Sequence, residues 1–203
     1  MGNILVVKRK ILFDGSAPSG FIPAWRREYL SVIQSNGLWM EREKAEENPA
    51  FKQPIVYSVV ANAQEKKIFF FRRANTKDYA EKKLRNKWSC GLGGHVDQIK
   101  DGNGPWPLIA SAQRELGEEL GLIVPSGLNV QGYINQEDDV GKVHFGILNV
   151  VWLSIGDVRP RDPEIAEGRM MDVDEAKQIL TAEGNEAEGW TEICFPFLSR
   201  LFG

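Results

Sequence analysis

The chain has 203 residues, of which 42% are hydrophobic, with a mean hydropathy of -0.31 and a formal net charge of -3. That length fits one domain, or one domain with an elaboration, with enough apolar material for a core, and the weak negative balance offers no positive field for a long nucleic acid. Two cysteines, Cys90 and Cys194, are too few for a disulfide scaffold or a multi-cysteine zinc site and read as reduced thiols of a cytoplasmic protein. The apolar run at residues 4–7 (ILVV) is too short for a secretory signal or a membrane span.

In chain order, residues 4–7 read as a short strand, followed by a basic step at Lys8 to Lys10 and a loop over residues 15–20 (GSAPSG). A helix is predicted over residues 21–33 and a highly charged segment over residues 42–47, with Trp39 and Met40 packing back on the body. Pro49 and Pro54 punctuate the chain, and a boundary falls near residue 50. Residues 1–50 are expected to form an N-terminal elaboration packed on a main domain over residues 51–203.

Residues 55–60 and 67–72 (KIFFFR) are predicted strands joined by a hairpin turn. Phe69, Phe70 and Phe71 put aromatics on both faces, which marks an internal strand. A charged connection over residues 75–86 leads to a glycine-rich turn, GLGGHVD, at residues 91–97. Later strands are predicted over residues 130–134 and 143–155, the second with a bend at Gly146, and an acidic loop at residues 136–141 separates them. Residues 160–168 read as a polar loop and residues 174–183 as a helix with Asp174 near its cap. After a linker at residues 184–189, a last helix over residues 190–202 has its early turns disturbed by Pro196.

The strongest helix signal covers residues 106–120, with Pro105 and Pro107 at its start and Gly121 as its stop. Ile109, Ala112, Leu116 and Leu120 fall within about 80° on a helical wheel and form the expected buried stripe. Glu115, Glu118 and Glu119 lie beside it, gathered onto one side by their spacing. Three carboxylates that close repel one another unless a cation sits among them. The simplest use of the arrangement is to hold Mg²⁺ or Mn²⁺ against a phosphate substrate; the competing reading is a solvated acidic face. Arg114 either pairs with a glutamate and fixes its rotamer or contacts phosphate. Gly117 costs about 1 kcal/mol against alanine in mid-helix, and the sequence offers no account of it.

The run RELGEELGL at residues 114–122 resembles the second half of the Nudix box, REUxEExGU with U a bulky aliphatic, at every specified position. Gly94 resembles the glycine that opens the box, and Gly93, His95, Val96 and Asp97 its usual surroundings. The resemblance covers about residues 50–185 and is closest to poorly characterised predicted phosphoesterases of the MutT type. It implies an α+β fold, the Nudix-like α/β/α sandwich around a mixed β-sheet. It also implies hydrolysis of a nucleoside diphosphate linked to another moiety X with Mg²⁺ or Mn²⁺.

One departure stands out. The family pattern separates the glycine from the arginine by fourteen positions, whereas Gly94 and Arg114 differ by 20. The six extra residues fall within residues 98–107 (QIKDGNGPWP), and Trp106 stands where the box has its first glutamate. Asp97 or Asp101 is a substitute from the loop. By resemblance, Glu118 and Glu119 are the main metal ligands, and Glu115 is a third ligand or orients a water. Arg114 orients a glutamate. A distal loop acid serves as ligand or base, with Glu164 ranked ahead of Glu167 and Glu137.

Gly94, His95, Arg72 and Arg73 make up the expected substrate-binding set. Arg72 and Arg73, with Lys77, Lys82, Lys83, Arg85 and Lys87, form a basic stretch that either draws in a polyphosphate or is a solvated face. His95 is divided between a phosphate contact and a structural role. His144, in an apolar strand, reads as a satisfied near-core histidine, and two histidines give little support to a His-based zinc site. Cys90 reads as a buried thiol without a base to activate it. Trp88 and Trp106 read as packing or lid residues. The turn GLGGH lacks the spacing of a dinucleotide fingerprint.

Two functions compete. The first is a metal-dependent pyrophosphohydrolase acting on a small phosphate-containing substrate, without membrane attachment and with a homodimer as the family's common state. The second is a non-catalytic nucleotide- or diphosphate-binding regulatory module with a degenerate box, motivated by Trp106 and the N-terminal segment. An isomerase using a diphosphate handle would need an acid–base pair that Cys90 and His144 supply poorly.

Overall fold

The structure, a computed structural model, describes residues 2–75, 84–102, 104–123, 126–154 and 158–202. The N-terminal part comprises β1 (Asn3–Lys8), α1 (Arg9–Phe13), β2 (Gly20–Pro23), α2 (Leu30–Asn36), β3 (Leu38–Glu41) and α3 (Arg42–Glu46). There follow β4 (Phe51–Asn62), β5 (Lys67–Arg73), β6 (Trp88–Ser89), α4 (Pro107–Leu120), β7 (Val130–Asn135) and β8 (His144–Trp152). The chain ends with β9 (Ile165–Asp172), α5 (Val173–Thr181) and α6 (Gly189–Leu201).

The strands join in one mixed sheet whose main path runs β2-β7-β8-β4-β1-β3, with β5 joining β4, β6 and β9 off that path. The twelve-residue β4 binds its partners in succession. Its first residues pair with β1 (Val7↔Lys52), its middle runs parallel to β8 from Gln53↔His144 to Ala61↔Trp152, and its end pairs with β5 (Ala61↔Ile68).

The period-two alternation of β4 supplies both faces of the core. Tyr57, Val59 and Ala61 pack with Leu148 and Val150 against Cys194, Phe195 and Leu198 of α6 and Ala176 of α5. Val56 and Val60 face the other way, toward Leu108, Ala112, Leu116 and Leu120 of α4. Helices on both faces of a mixed sheet make the α/β/α sandwich. The three phenylalanines of β5 divide as expected, Phe70 on the α6 side and Phe69 and Phe71 on the α4 side.

The structure corrects several expectations. Residues 21–33 are not one helix: β2 pairs with β7 (Phe21↔Ile134), and α2 begins only at Leu30. The helix starts there because the Glu28 carboxylate accepts from the backbone N–H groups of Leu30 and Ser31. Trp39 and Met40 do pack back on the body, and they do so from a strand, β3, paired with β1. The supposed polar loop becomes strand at Ile165, where β9 pairs with β5 and exposes its charged residues. The pairing of β8 with β4 runs unbroken through Gly146, and the irregularity lies in β7, between Val130 and Gly132. On α4 the buried stripe includes Leu108 rather than Ile109, and Glu119 lies within it. Pro196 stands inside α6 without breaking it.

Candidate active site

A cleft of about 1020 Å³ opens beside α4. Its lining includes Gly93, Gly94 and His95 of the glycine turn, Arg114, Glu115, Glu118 and Glu119 of α4, and Glu164 ahead of β9. Gly121 closes α4 in the left-handed conformation (φ 66°), its N–H donating to the Gly117 carbonyl and the Leu122 N–H to the Leu116 carbonyl. The glycine turn runs close to the helix. A Cβ at Gly94 would collide with the Glu115 carboxylate, so this acid can lie against the turn only because residue 94 has no side chain.

Arg114 is the organising side chain. Its Nε and Nη2 donate to the two carboxylate oxygens of Asp101, each at 2.9 Å, and Nη2 also donates to the His95 carbonyl at 3.1 Å. Nη1 donates to Glu115 at 2.6 Å and to Glu118 at 3.2 Å. Its donors are thus committed to protein acceptors, which favours an orienting role over a direct phosphate contact. Asp101 lies within residues 98–107, where the extra residues are expected, and is 2% exposed. Asp97 does something else: its carboxylate accepts from the N–H groups of Ile99 and Lys100 and shapes the inserted turn.

The three helical carboxylates differ. Glu118 is half exposed. Burial raises the pKa of Glu115, opposed by Arg114. Burial also pushes Glu119 up to about 8, assisted by the negative charges of Glu115, Asp162 and Glu188 and opposed by Arg73. Arg73 Nη1 lies 3.6 Å from Glu119 Oε1, yet Glu119 Oε2 is buried with no hydrogen-bond partner among the described residues. A buried carboxylate oxygen without a donor is costly. With Glu115 one turn away and Glu118 next to it in sequence, it fits a hard divalent cation that takes oxygen ligands. Glu118 and Glu119, with Glu115, would hold such an ion.

Other expected residues fall in different places. Arg73 lines the cleft and donates to Glu188 at 2.8 Å. Arg72, on the opposite face of β5, pairs with Glu167 and lies over Trp88. Glu164 is exposed on the cleft wall. Glu137 is engaged by Arg9 and Lys52, and neither it nor Glu167 lines the cleft. Trp88 stacks on Phe70, whereas Trp106 is 53% exposed. Cys90 is fully buried beside Cys194, their sulfurs 3.8 Å apart. Lys77, Lys82 and Lys83 lie outside the described residues.

Three acids escaped the sequence reading. Asp162 and Glu188 stand close enough to raise Glu119's pKa, but each sits in a segment that reads as loop or linker. Glu46, on α3, meets His95 and His144 at the cleft edge, and the three offer ligand atoms within 4.8 Å of one another. The hydrogen bond from His95 leads the effects that hold the Glu46 carboxyl at about 2. Only the run of charge at residues 42–47 hinted at it.

Comparison with known proteins settles the family. A family model for the NUDIX domain matches residues 51–190. The chain belongs to the NUDIX family. It is 34% identical to Protein YmaB of Bacillus subtilis (strain 168) over 176 residues, covering 84% of this chain and 82% of that protein. Its fold matches the crystal structure of Tm1382, a candidate Nudix hydrolase, with a TM-score of 0.78 at 24% identity, over 98% of this chain and 100% of that one. It also matches the NUDIX domain of Shewanella oneidensis NrtR, solved with ADP ribose, with a TM-score of 0.52 at 15% identity, over 79% and 96% of the two chains. Gly94 and α4 are separated by a turn that brings Asp101 back to Arg114. Among the described residues, no helix is long and apolar enough to cross a membrane.

Proposed function

We propose that this Nudix chain is a divalent-metal-dependent pyrophosphohydrolase that cleaves a nucleoside diphosphate linked to another moiety X. The observation that carries this reading is Glu119, whose buried Oε2 has no partner among the described residues and whose carboxyl group is pushed up to about 8 by burial first of all. A cation among Glu115, Glu118 and Glu119 would complete that oxygen and favour its ionised form. Bound Mg²⁺ or Mn²⁺ would neutralise phosphate oxygens and acidify a coordinated water.

The protein's own groups have separate tasks in this scheme. Glu118 and Glu119 hold the ion, and Glu115, pressed against Gly94, is a further ligand or orients the attacking water. Arg114 positions Glu115 and Glu118. Glu164, on the cleft wall, is the loop acid available to accept a proton from water. Arg73, Lys87 and Lys100 bring positive charge to a cleft that would otherwise repel a diphosphate. The non-catalytic reading loses its main motive, because Asp101 engages Arg114 although Trp106 occupies the box position.

The test is a screen of nucleoside triphosphates, dinucleotides, nucleotide sugars and coenzyme diphosphates with Mn²⁺ or Mg²⁺, read by phosphate release after phosphatase coupling. Turnover should appear with one class and vanish in Glu118→Gln and Glu119→Gln. Unchanged turnover in the double variant, or tight binding of a diphosphate with no turnover in any class, would overturn the assignment.

A further inference from the structure

Glu46, His95 and His144 reach one point from three distant parts of the chain: α3, the glycine turn and the first residue of β8. Their arrangement is set by the backbone. His95 forms an isolated bridge with Ile55 of β4, and His144 is the register partner of Gln53 on the same strand. The tautomer of His144 is fixed as well. Its Nδ1 lies 2.7 Å from the carbonyl oxygen of Val140, which can only accept, so Nδ1 carries the proton and the neutral ring presents the lone pair of Nε2.

That lone pair faces His95 Nε2 at 3.2 Å and Glu46 Oε2 at 3.8 Å, while His95 Nε2 lies 3.3 Å from Glu46 Oε1. One proton on His95 Nε2 can be directed at either the imidazole or the carboxylate, not at both. A cation at the centre would satisfy all three groups. The spacing suits one: bonds of 2.0–2.1 Å to a tetrahedral ion put its ligands about 3.3–3.4 Å apart, close to the 3.2 Å between the imidazoles and the 3.3 Å from His95 to one Glu46 oxygen, with the other oxygen 3.8 Å from His144.

The donor set also selects the ion. Two imidazole nitrogens and one carboxylate suit Zn²⁺ and its first-row neighbours, whereas Mg²⁺ prefers oxygen alone. Three protein ligands leave a fourth position, as in zinc sites that bind water or substrate. His95 and His144 both line the cleft. The Nδ1–H to carbonyl bond of His144 is the usual outer support of a histidine ligand.

We propose that Glu46, His95 and His144 form a second metal site on the cleft wall, separate from the acidic helix and selective for Zn²⁺ or a similar first-row transition ion over Mg²⁺. The site goes beyond the hydrolase reading and does not depend on it. It would tie α3 to the edge of the cleft and present a cation to an anionic ligand there.

The chain has only two histidines, so the first measurement needs no substitution. In full-length protein labelled with ¹⁵N-histidine and held in millimolar Mg²⁺, one equivalent of Zn²⁺ should shift the Nε2 signals of both rings and leave His144 Nδ1 protonated. Both Nε2 signals unmoved by excess Zn²⁺ would overturn the proposal. Co²⁺ titration followed by its visible spectrum should show affinity lowered roughly tenfold or more in Glu46→Gln and His144→Ala, with far-UV circular dichroism verifying the fold. The Glu118→Gln/Glu119→Gln double variant should keep the histidine shifts. Losing them there would assign the ion to the acidic helix and reject the second site, whatever the hydrolysis assay gives.

Discussion

Asp101 and Arg114 face each other as a bidentate pair, with Nε and Nη2 of the guanidinium each 2.9 Å from one oxygen of the carboxylate. The carboxylate side chain is 1% exposed and the guanidinium side chain 18% exposed. One oxygen of Asp101 also accepts the Asp97 N–H at 2.8 Å. The pair ties the inserted turn to α4 and leaves Arg114 free to turn only as the whole turn moves.

Removing one partner of a buried pair strands the other charge. Asp101→Ala should therefore lower stability by about 3 kcal/mol and loosen Glu115 and Glu118 through Arg114. Asp97→Ala, which deletes two hydrogen bonds of a turn, should cost only about 1–2 kcal/mol. Urea denaturation of the two variants checks the order; equal losses would contradict it.

Glu119 has its carboxyl pushed to about 8, above the ordinary 4.5. Between those values the folded metal-free chain holds a proton that the unfolded chain has lost. Stability that is present below pH 4.5 is thus lost as pH rises through about 8. Two outcomes follow at pH 7. Glu119→Gln, which stays neutral in both the folded and the unfolded chain, escapes that loss and should raise the metal-free melting temperature while abolishing the stabilisation by Mn²⁺. Mn²⁺ binding to the unmodified chain should release protons, measurable by titration in weak buffer.

Gly117 has open space around it: a Cβ there would approach nothing nearer than the Leu122 carbonyl oxygen at 3.8 Å. No packing requires glycine at this helical position. Gly117→Ala should raise stability by about 1 kcal/mol, read as a higher denaturation midpoint with the same slope.

Lys52 is fully buried and donates to the carbonyls of Gly141 and Gln136. Burial lowers its pKa to about 8 from 10.5, against the pull of Glu137. Below pH 8 the folded state carries a charge that burial disfavours. Between about 8 and 10.5 the unfolded chain binds more protons, so this group makes stability rise with pH there. Lys52→Met should remove that rise, as seen in urea denaturation at pH 7 and pH 10. It should also loosen residues 136–141, the loop whose Val140 carbonyl holds His144.

The acidic helix and the glycine turn were legible because their spacing is local: a helix brings Glu115, Glu118 and Glu119 together whatever surrounds it. The two aromatic faces of β5 were legible for the same reason. Residues 21–33 misled because their apolar positions also suit a strand with a capped helix behind it, and the choice is made by β7, more than a hundred residues away. Asp101 could be named only as one of two substitutes, since an insertion has no register until it folds. Glu46 and Glu188 were invisible because each acquires meaning only from partners far along the chain, His95 for one and Arg73 for the other.

Because β4 serves three partners along one length, it acts as a spine that cannot be unzipped from a single side. Its middle is bonded to β8 on one edge and to residues of the glycine turn, at Ser58↔Leu92 and Ile55↔His95, on the other. Amide protons around residues 55–60 should therefore be among the last to exchange with deuterium, and only through opening that parts both halves at once. The floor beneath the cleft would then outlast the loops at its rim.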